Sequence, residues 1–222
     1  MARSAKDNQE IRDARREEIL AAAARVFAEK GLANTKISDI ASAAGLSHGL
    51  VYHYFESKDA VFGAIVDQMI EKVDADVAAD PDLPAFERLT KGIERSRQRV
   101  CAGGAEPGRV VAQAMMQGVL PPEIREHVLT HLASLHQRVA GRIAEAQRDG
   151  DVDPDVDSSE LAAALICLIR GMSIRMPGMP ELPFPPPRTE TIVRLLRRGA
   201  AREEQKPSET RRAARGTHAR RK

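Results

Sequence analysis

The chain has 222 residues and a formal net charge of +2, with two tyrosines, five phenylalanines, no tryptophan and two cysteines. Its length allows a sizeable core without disulfide staples, and its Ala, Leu, Arg and Glu content with few β-branched runs favours helices over strands, so the expected fold is all-α. Cys101 and Cys167 lie far apart and match no metal-ligand spacing, which argues against a disulfide scaffold and for two small, buried apolar side chains in a reducing compartment.

The first thirty residues are charged and lack the apolar centre of a secretory signal. Within "IRDARREEILAAAARVFAEKG", Ile19, Leu20, Ala23, Val26 and Phe27 recur at helical spacing, and Gly31 supplies a stop. In "NTKISDIASAAGLS", Thr35 can cap a helix from about Lys36 to Ala44, and Gly45 allows a sharp turn. A third helix follows from about Ser47 to Tyr54. Three short helices with a glycine bend between the second and third make a helix-turn-helix pattern. With Val51 and Phe55 turned inward, helical geometry sends His48 and Tyr52 outward as one i, i+4 pair and Gly49 and His53 as another. Both tyrosines of the chain thus fall within "HGLVYHYF".

A fourth helix starts at a Ser57 cap and carries Val61, Ile65, Met69 and Val73 along one stripe, long enough to connect two lobes. "LPAFERLTKGIERSRQRV" repeats the pattern with Phe86, Leu89 and Ile93, and "GRVVAQAMMQGVL" is a short, mostly apolar helix. From Pro121, a long helix places Ile124, Val128, Leu132, Leu135, Val139 and Ile143 on one face and ends at Gly150. His127 and His131 stand at i, i+4 on that helix with His136 nearby. No cysteine or carboxylate at ligand spacing completes a metal site, so a solvated flank is expected there and no metal or cofactor.

"DSSELAAALICLIRGMSIRM" is apolar on several sides, as expected for a helix packed on its own domain and on a second subunit. Its longest uncharged run, "LAAALICLI", is far short of the ~20 residues of a membrane span, and a soluble cytoplasmic protein is expected. Six prolines between Pro177 and Pro187 form a stiff connector that no helix can cross, followed by a last helix from Thr189 to Ala200. From about Arg202 the sequence loses apolar periodicity and reads as a disordered tail. Arg194 to Lys222 carry +8, which leaves −6 on residues 1–193, while residues 1–60 are neutral. Bulk charge therefore does not announce nucleic-acid binding, and the argument rests on placement.

"TKISDIASAAGLSHGLVYHYFESKDAVFGAI" resembles the DNA-binding segment of the TetR family of bacterial transcriptional repressors, a likeness that covers roughly residues 15–65. The combination of Ile-Ala, Ala-Gly-Leu-Ser, Val-Tyr-x-Tyr-Phe and Ser-Lys-Asp at these intervals is specific, and "GDVDPDVDSSELAAALICLIRGM" carries a looser likeness to the family's penultimate helix. The resemblance implies a DNA-binding domain at residues 1–56, an effector-binding and dimerisation domain at 57–200, and a basic tail at 201–222. It also implies a homodimer on a palindromic operator, joined through the last two helices of each subunit and released by a small-molecule effector.

Residue types agree with that implication. His48, Gly49 and Leu50 stand at the start of the recognition helix, where His48 can read a base edge, Gly49 lets the backbone approach, and Leu50 can pack on a thymine methyl. Tyr52 occupies the position of the family's phosphate-binding tyrosine, His53 is a second phosphate or base contact, and Tyr54 is expected to pack inward. Thr35 and Lys36, and Ser47, Ser57 and Lys58, bring helix starts and lysines toward phosphates. Leu50 departs from the small polar residue common there in the family, so operator preference does not transfer. Met69, Met115, Met116 and Met172, with Phe86 and Ile93, are the candidate effector-pocket residues, although ordinary core filling suits the methionines equally. No nucleophile or acid/base pair has compelling spacing, so an enzyme is not expected. An effector-independent regulator and an activator share every feature named.

Overall fold

In the computed structural model, residues 5–101, 107–173 and 185–197 are described. Most of the proline-rich connector, the last residues of the expected final helix and the basic tail lie outside the described residues. Among the described residues the fold is all-α. It comprises α1 (Ala5–Asn34), α2 (Ile37–Ala44), α3 (His48–Tyr54), α4 (Lys58–Ala78), α5 (Ala85–Cys101), α6 (Pro107–Met116), α7 (Pro122–Arg148), α8 (Ser158–Ser173) and α9 (Thr189–Leu196). No described helix is long and apolar enough to cross a membrane.

Helix α1 is broken at Gly31, whose φ of 76° and ψ of 160° lie where only glycine sits without strain, so the helical run of the sequence ends there as its glycine predicts. The break returns Leu32 to the core, where it is 4% exposed. Gly45 at φ 67° makes the left-handed turn between α2 and α3, and its successor's N–H bonds back to Ala41 O at 2.9 Å.

Two apolar clusters hold the chain together. The first joins Ile19, Leu20 and Phe27 of α1, Ile40 of α2, Val51 of α3, Val61, Phe62, Ile65 and Val66 of α4, Val111 of α6 and Val128 of α7. Phe27 and Phe62 meet edge to face at 5.3 Å between centroids. Both rings are essentially buried, and cutting either to alanine costs about 3–5 kcal/mol. Residues on both sides of the boundary expected at residue 56 share this cluster, since α4 and α6 pack with the first three helices. The second cluster joins Phe86, Leu89 and Ile93 of α5, Ile143 of α7, Ala162, Leu165 and Met172 of α8, and Ile192, Val193 and Leu196 of α9.

Helix α9 packs on α5 of its own chain. The Thr189 hydroxyl donates to the Glu94 carboxylate and accepts from Arg97 Nε, and Arg197 lies 5.0 Å over the Phe86 ring. Leu195, on the other side, is 70% exposed. Cys167 corrects the expectation of a buried thiol: α8 turns Ala162, Leu165 and Met172 inward, and Cys167 falls on the opposite, exposed side. The side chain of Cys101 lies outside the described residues.

Lys58 does not stand free at the start of α4. Its ammonium donates to Leu32 O at 2.9 Å and Ala33 O at 3.1 Å, closing the carbonyl end of α1. Replacing Lys58 by methionine is therefore expected to lower the stability of the DNA-free protein by about 1.5–3 kcal/mol in chemical denaturation. Lys36→Met, at an exposed site, stays within about 0.5 kcal/mol of wild type.

Glu94 gives a second test. Its hydrogen bond from Thr189, then those from Arg97 and Gln98, hold its carboxyl at about 2 against an ordinary 4.5. A depressed carboxyl contributes stability above its unfolded value and loses it as protons bind to the folded form. Acid titration of stability should thus show a loss between about pH 4.5 and 2 that is absent from Glu94→Gln.

Candidate functional site

Helix α3 is short, and its inward side is fixed by fully buried Val51 and by Phe55 just beyond its end. That register leaves Ser47, His48, Gly49, Leu50, Tyr52 and His53 exposed on one face, while Tyr54 is half-buried against the first cluster. Leu50 is 36% and Tyr52 48% exposed. The His48 and Tyr52 rings meet edge to face at 4.8 Å, so each limits the other's rotamers and the phenol is held outward. Ser47 caps the helix, its Oγ accepting the Leu50 N–H at 3.2 Å, and Ser57 does the same for Ala60 at the start of α4.

Two positions expected at phosphates are differently employed. Thr35 is 2% exposed, and its hydroxyl donates to Gly31 O at 2.8 Å, so it neither caps α2 nor presents a side chain outward. Asp39 takes the capping role, accepting the Lys36 N–H at 2.8 Å and pairing with Lys30 Nζ at 2.8 Å; these bonds, Lys30 first, hold its carboxyl below the ordinary range. Lys58 is engaged with the α1 carbonyls. Lys36 and Lys30 remain as exposed ammonium groups beside α2.

Between the two apolar clusters lies a cavity of about 440 Å³, within the range of small-molecule sites. Met69 and Val73 of α4, Ile93 of α5, Val111 of α6, Leu132 and Leu135 of α7 and Ile169 of α8 supply apolar wall. Of the six pocket candidates, Met69 and Ile93 reach it. Phe86 and Met172 are core residues of the second cluster, Met115 packs beside the first, and Met116 is 63% exposed beyond it. The three histidines of α7 go to separate partners. His127 meets Asp67 at 3.1 Å and His136 the Ser159 carbonyl at 2.9 Å, whereas His131 lines the cavity. His131 is thus buried, not part of a solvated flank, and its burial lowers its pKa more than Asp74, 3.7 Å away, raises it.

The wall also carries Lys72, Arg88, Arg99, Arg142 and Arg170, and a single carboxylate, Asp76. Sequence reading missed these cations. The signal available was Arg142, which stands three residues after Val139 and seven after Leu135, in line with the apolar stripe of α7.

Residues 19–65 match the model described as bacterial regulatory proteins of the TetR family, and residues 108–177 match the tetracyclin repressor-like C-terminal domain. The HTH-type transcriptional regulator UidR of Escherichia coli K12 is 25% identical over 163 residues, 71% of this chain and 79% of its own. The HTH-type transcriptional repressor KstR2 of Rhodococcus jostii RHA1 is 29% identical over 159 residues, 68% of this chain and 74% of its own. Among solved structures, AibR in complex with isovaleryl coenzyme A and operator DNA shares the fold at a TM-score of 0.63 and 19% identity, over 81% of this chain and 94% of its own. Two matched segments that together span more than half of the chain, one over the ring-bearing helix and one over the body, place this protein in the TetR family of bacterial transcription regulators.

Proposed function

We propose that the protein is a ligand-responsive repressor that binds a palindromic operator as a homodimer and leaves it when a small molecule fills the cavity. The observation that carries this reading is the exposed face of α3, where His48, Tyr52 and His53 present polar ring tips that no described residue of their own chain holds by a hydrogen bond. A major groove offers such tips both base edges and flanking phosphates. His48, Gly49 and Leu50 are assigned to bases, and Tyr52, His53, Lys36 and the capped starts of α3 and α4 at Ser47 and Ser57 to the backbone. Thr35 and Lys58 act from behind, positioning the loops that carry those starts.

A dimer supplies two such helices and so calls for a two-fold site. Exposed Ala163, Ala164, Cys167 and Gly171 of α8 and Leu195 of α9 support this assembly, because small and apolar side chains permit close helix approach. In this reading residues 1–56 read DNA and residues 57–200 bind the effector and the second subunit. Helix α4 joins the two functions. Its first half, with Phe62 and Ile65, belongs to the core of the head, and its second half, with Met69 and Val73, is cavity wall. A ligand that prefers one position of α4 thereby prefers one spacing of the two heads, and only differential affinity of this kind shifts the equilibrium.

The reading is tested by gel shift on DNA from upstream of the coding region, with an inverted repeat as the protected element. Tyr52→Phe removes one hydrogen bond from an uncharged donor to a phosphate and should weaken every sequence at least about tenfold, or ~1.5–3 kcal/mol, without changing the salt slope. His48→Ala should instead relax preference at one base pair, by about 1–3 kcal/mol. Binding by Tyr52→Phe and His48→Ala indistinguishable from wild type, or no shift with any upstream fragment, removes the assignment.

A further inference from the structure

The cavity's charges are unevenly matched. The one carboxylate on the wall, Asp76, is already paired with Arg99, and the acids just behind it are taken as well: Arg138 lies 2.5 Å from Asp74 and Arg88, a wall residue, 2.6 Å from Glu145. Among the described residues three wall cations, Lys72, Arg142 and Arg170, form no ion pair; Lys72 is exposed to solvent, whereas Arg142 is half-buried and its guanidinium donates to Val77 O at 2.5 Å. Burial and then the neighbouring Arg88 cation press its pKa below the ordinary value, so its charge is poorly compensated where it stands.

Arg142 also has a definite place. Val128 and Arg142 both line the cavity from α7, fourteen residues or about 21 Å apart along the helix axis. Near Val128 the wall is closed by Met69, Gly108 and Val111; near Arg142 stand Val77, Arg88 and Val139. The cavity is therefore long: toward the head its wall is apolar apart from the exposed Lys72, one turn from Met69, and at the far end it is cationic and half-buried. Apolar wall selects an apolar body by area, while a guanidinium presents a planar fork suited to carboxylate or phosphate.

We infer that the cavity takes an elongated apolar molecule bearing one anionic head group, with its tail toward Met69 and Val111 and its head on Arg142. This rests on the reading of the cavity as the effector site, and deepens it by naming the ligand's chemical class. A neutral ligand of the same shape leaves the guanidinium uncompensated. A cationic one adds repulsion to a wall that already repels it.

The test is calorimetric titration of the full-length protein with four probes that share a tail: sodium decanoate, decyl phosphate, decan-1-ol and decyltrimethylammonium. The two anions are expected to bind at least about tenfold more tightly than the alcohol, with the cation weakest, since a hydrogen bond to a charged partner is worth that much. Whichever anion binds better identifies the head as carboxylate or phosphate. Arg142→Met should abolish the preference for anions while leaving decan-1-ol within about twofold, and Arg142→Lys should keep it in part. Because the wild-type ratio alone decides the sign, an unfolded Arg142→Met does not leave the question open. Decan-1-ol binding as tightly as decanoate overturns the assignment of an anionic ligand, and an anion preference that survives Arg142→Met overturns the placement of its head on Arg142; both outcomes spare the cavity as effector site. Failure of all four probes to bind overturns both.

Discussion

One helix belonging to two cores is the constraint on which the rest of this molecule depends. Helix α4 runs for 21 residues, about 31 Å. Its first two turns carry Val61, Phe62 and Ile65 into the cluster beneath the recognition helix. That end is further tied by Lys58 to the carbonyls that close α1. A three-helix head of this size buries too little apolar surface to stand well alone, and it borrows α4 and α6 to close. The consequence is mechanical: the head cannot move without α4, and α4 cannot move without disturbing the wall of the cavity.

The two halves of α4 are held by different forces. Near the head, contacts are apolar, dense and non-directional, and any shift opens a void at a cost that rises with its volume. Toward its end Asp74 and Asp76, with Asp80 just beyond it, reach sideways to Arg138, Arg99 and Arg95. Partly exposed pairs of this type are individually worth about 0–1 kcal/mol and exchange partners cheaply. The helix is thus firm where it carries the head and adjustable where it borders the cavity. That asymmetry suits the proposed lever, in which a ligand's modest differential affinity would act on the soft end and be passed on by the firm one.

Much of this was legible in the sequence, and what was not has a physical reason. The helical stripes, Gly31, Gly45 and the Ser57 cap each follow from local rules of spacing, backbone freedom and capping. The outward ring pair also followed, since Val51 and Phe55 fix the register of α3. Thr35 and Lys58 escaped because both are polar residues at helix starts, and sequence cannot tell a start facing outward from one facing a neighbouring helix's carbonyls. Lys58 acts across a separation of 25 and 26 residues. The pocket escaped for the opposite reason. Methionine and phenylalanine were natural guesses for an adaptable wall, yet Phe86 and Met172 are deep enough in the second cluster to be core, and what distinguishes the cavity is arginine standing in an apolar stripe.

The charge distribution bears on how the proposed complex holds DNA. Residues 1–60 are neutral overall, and Lys58, the lysine best placed by sequence, is occupied with its own backbone. A head of this composition releases few counterions on docking, so its affinity varies less with salt than that of a strongly basic domain. Contact then relies on hydroxyl, imidazole and helix-start N–H groups, all of them directional and short in range. Directional donors lose their partners when the head is displaced by an ångström or two, whereas diffuse charge would not. A neutral, ring-bearing recognition surface makes binding sensitive to head position, and so suits control by a lever whose stroke is small.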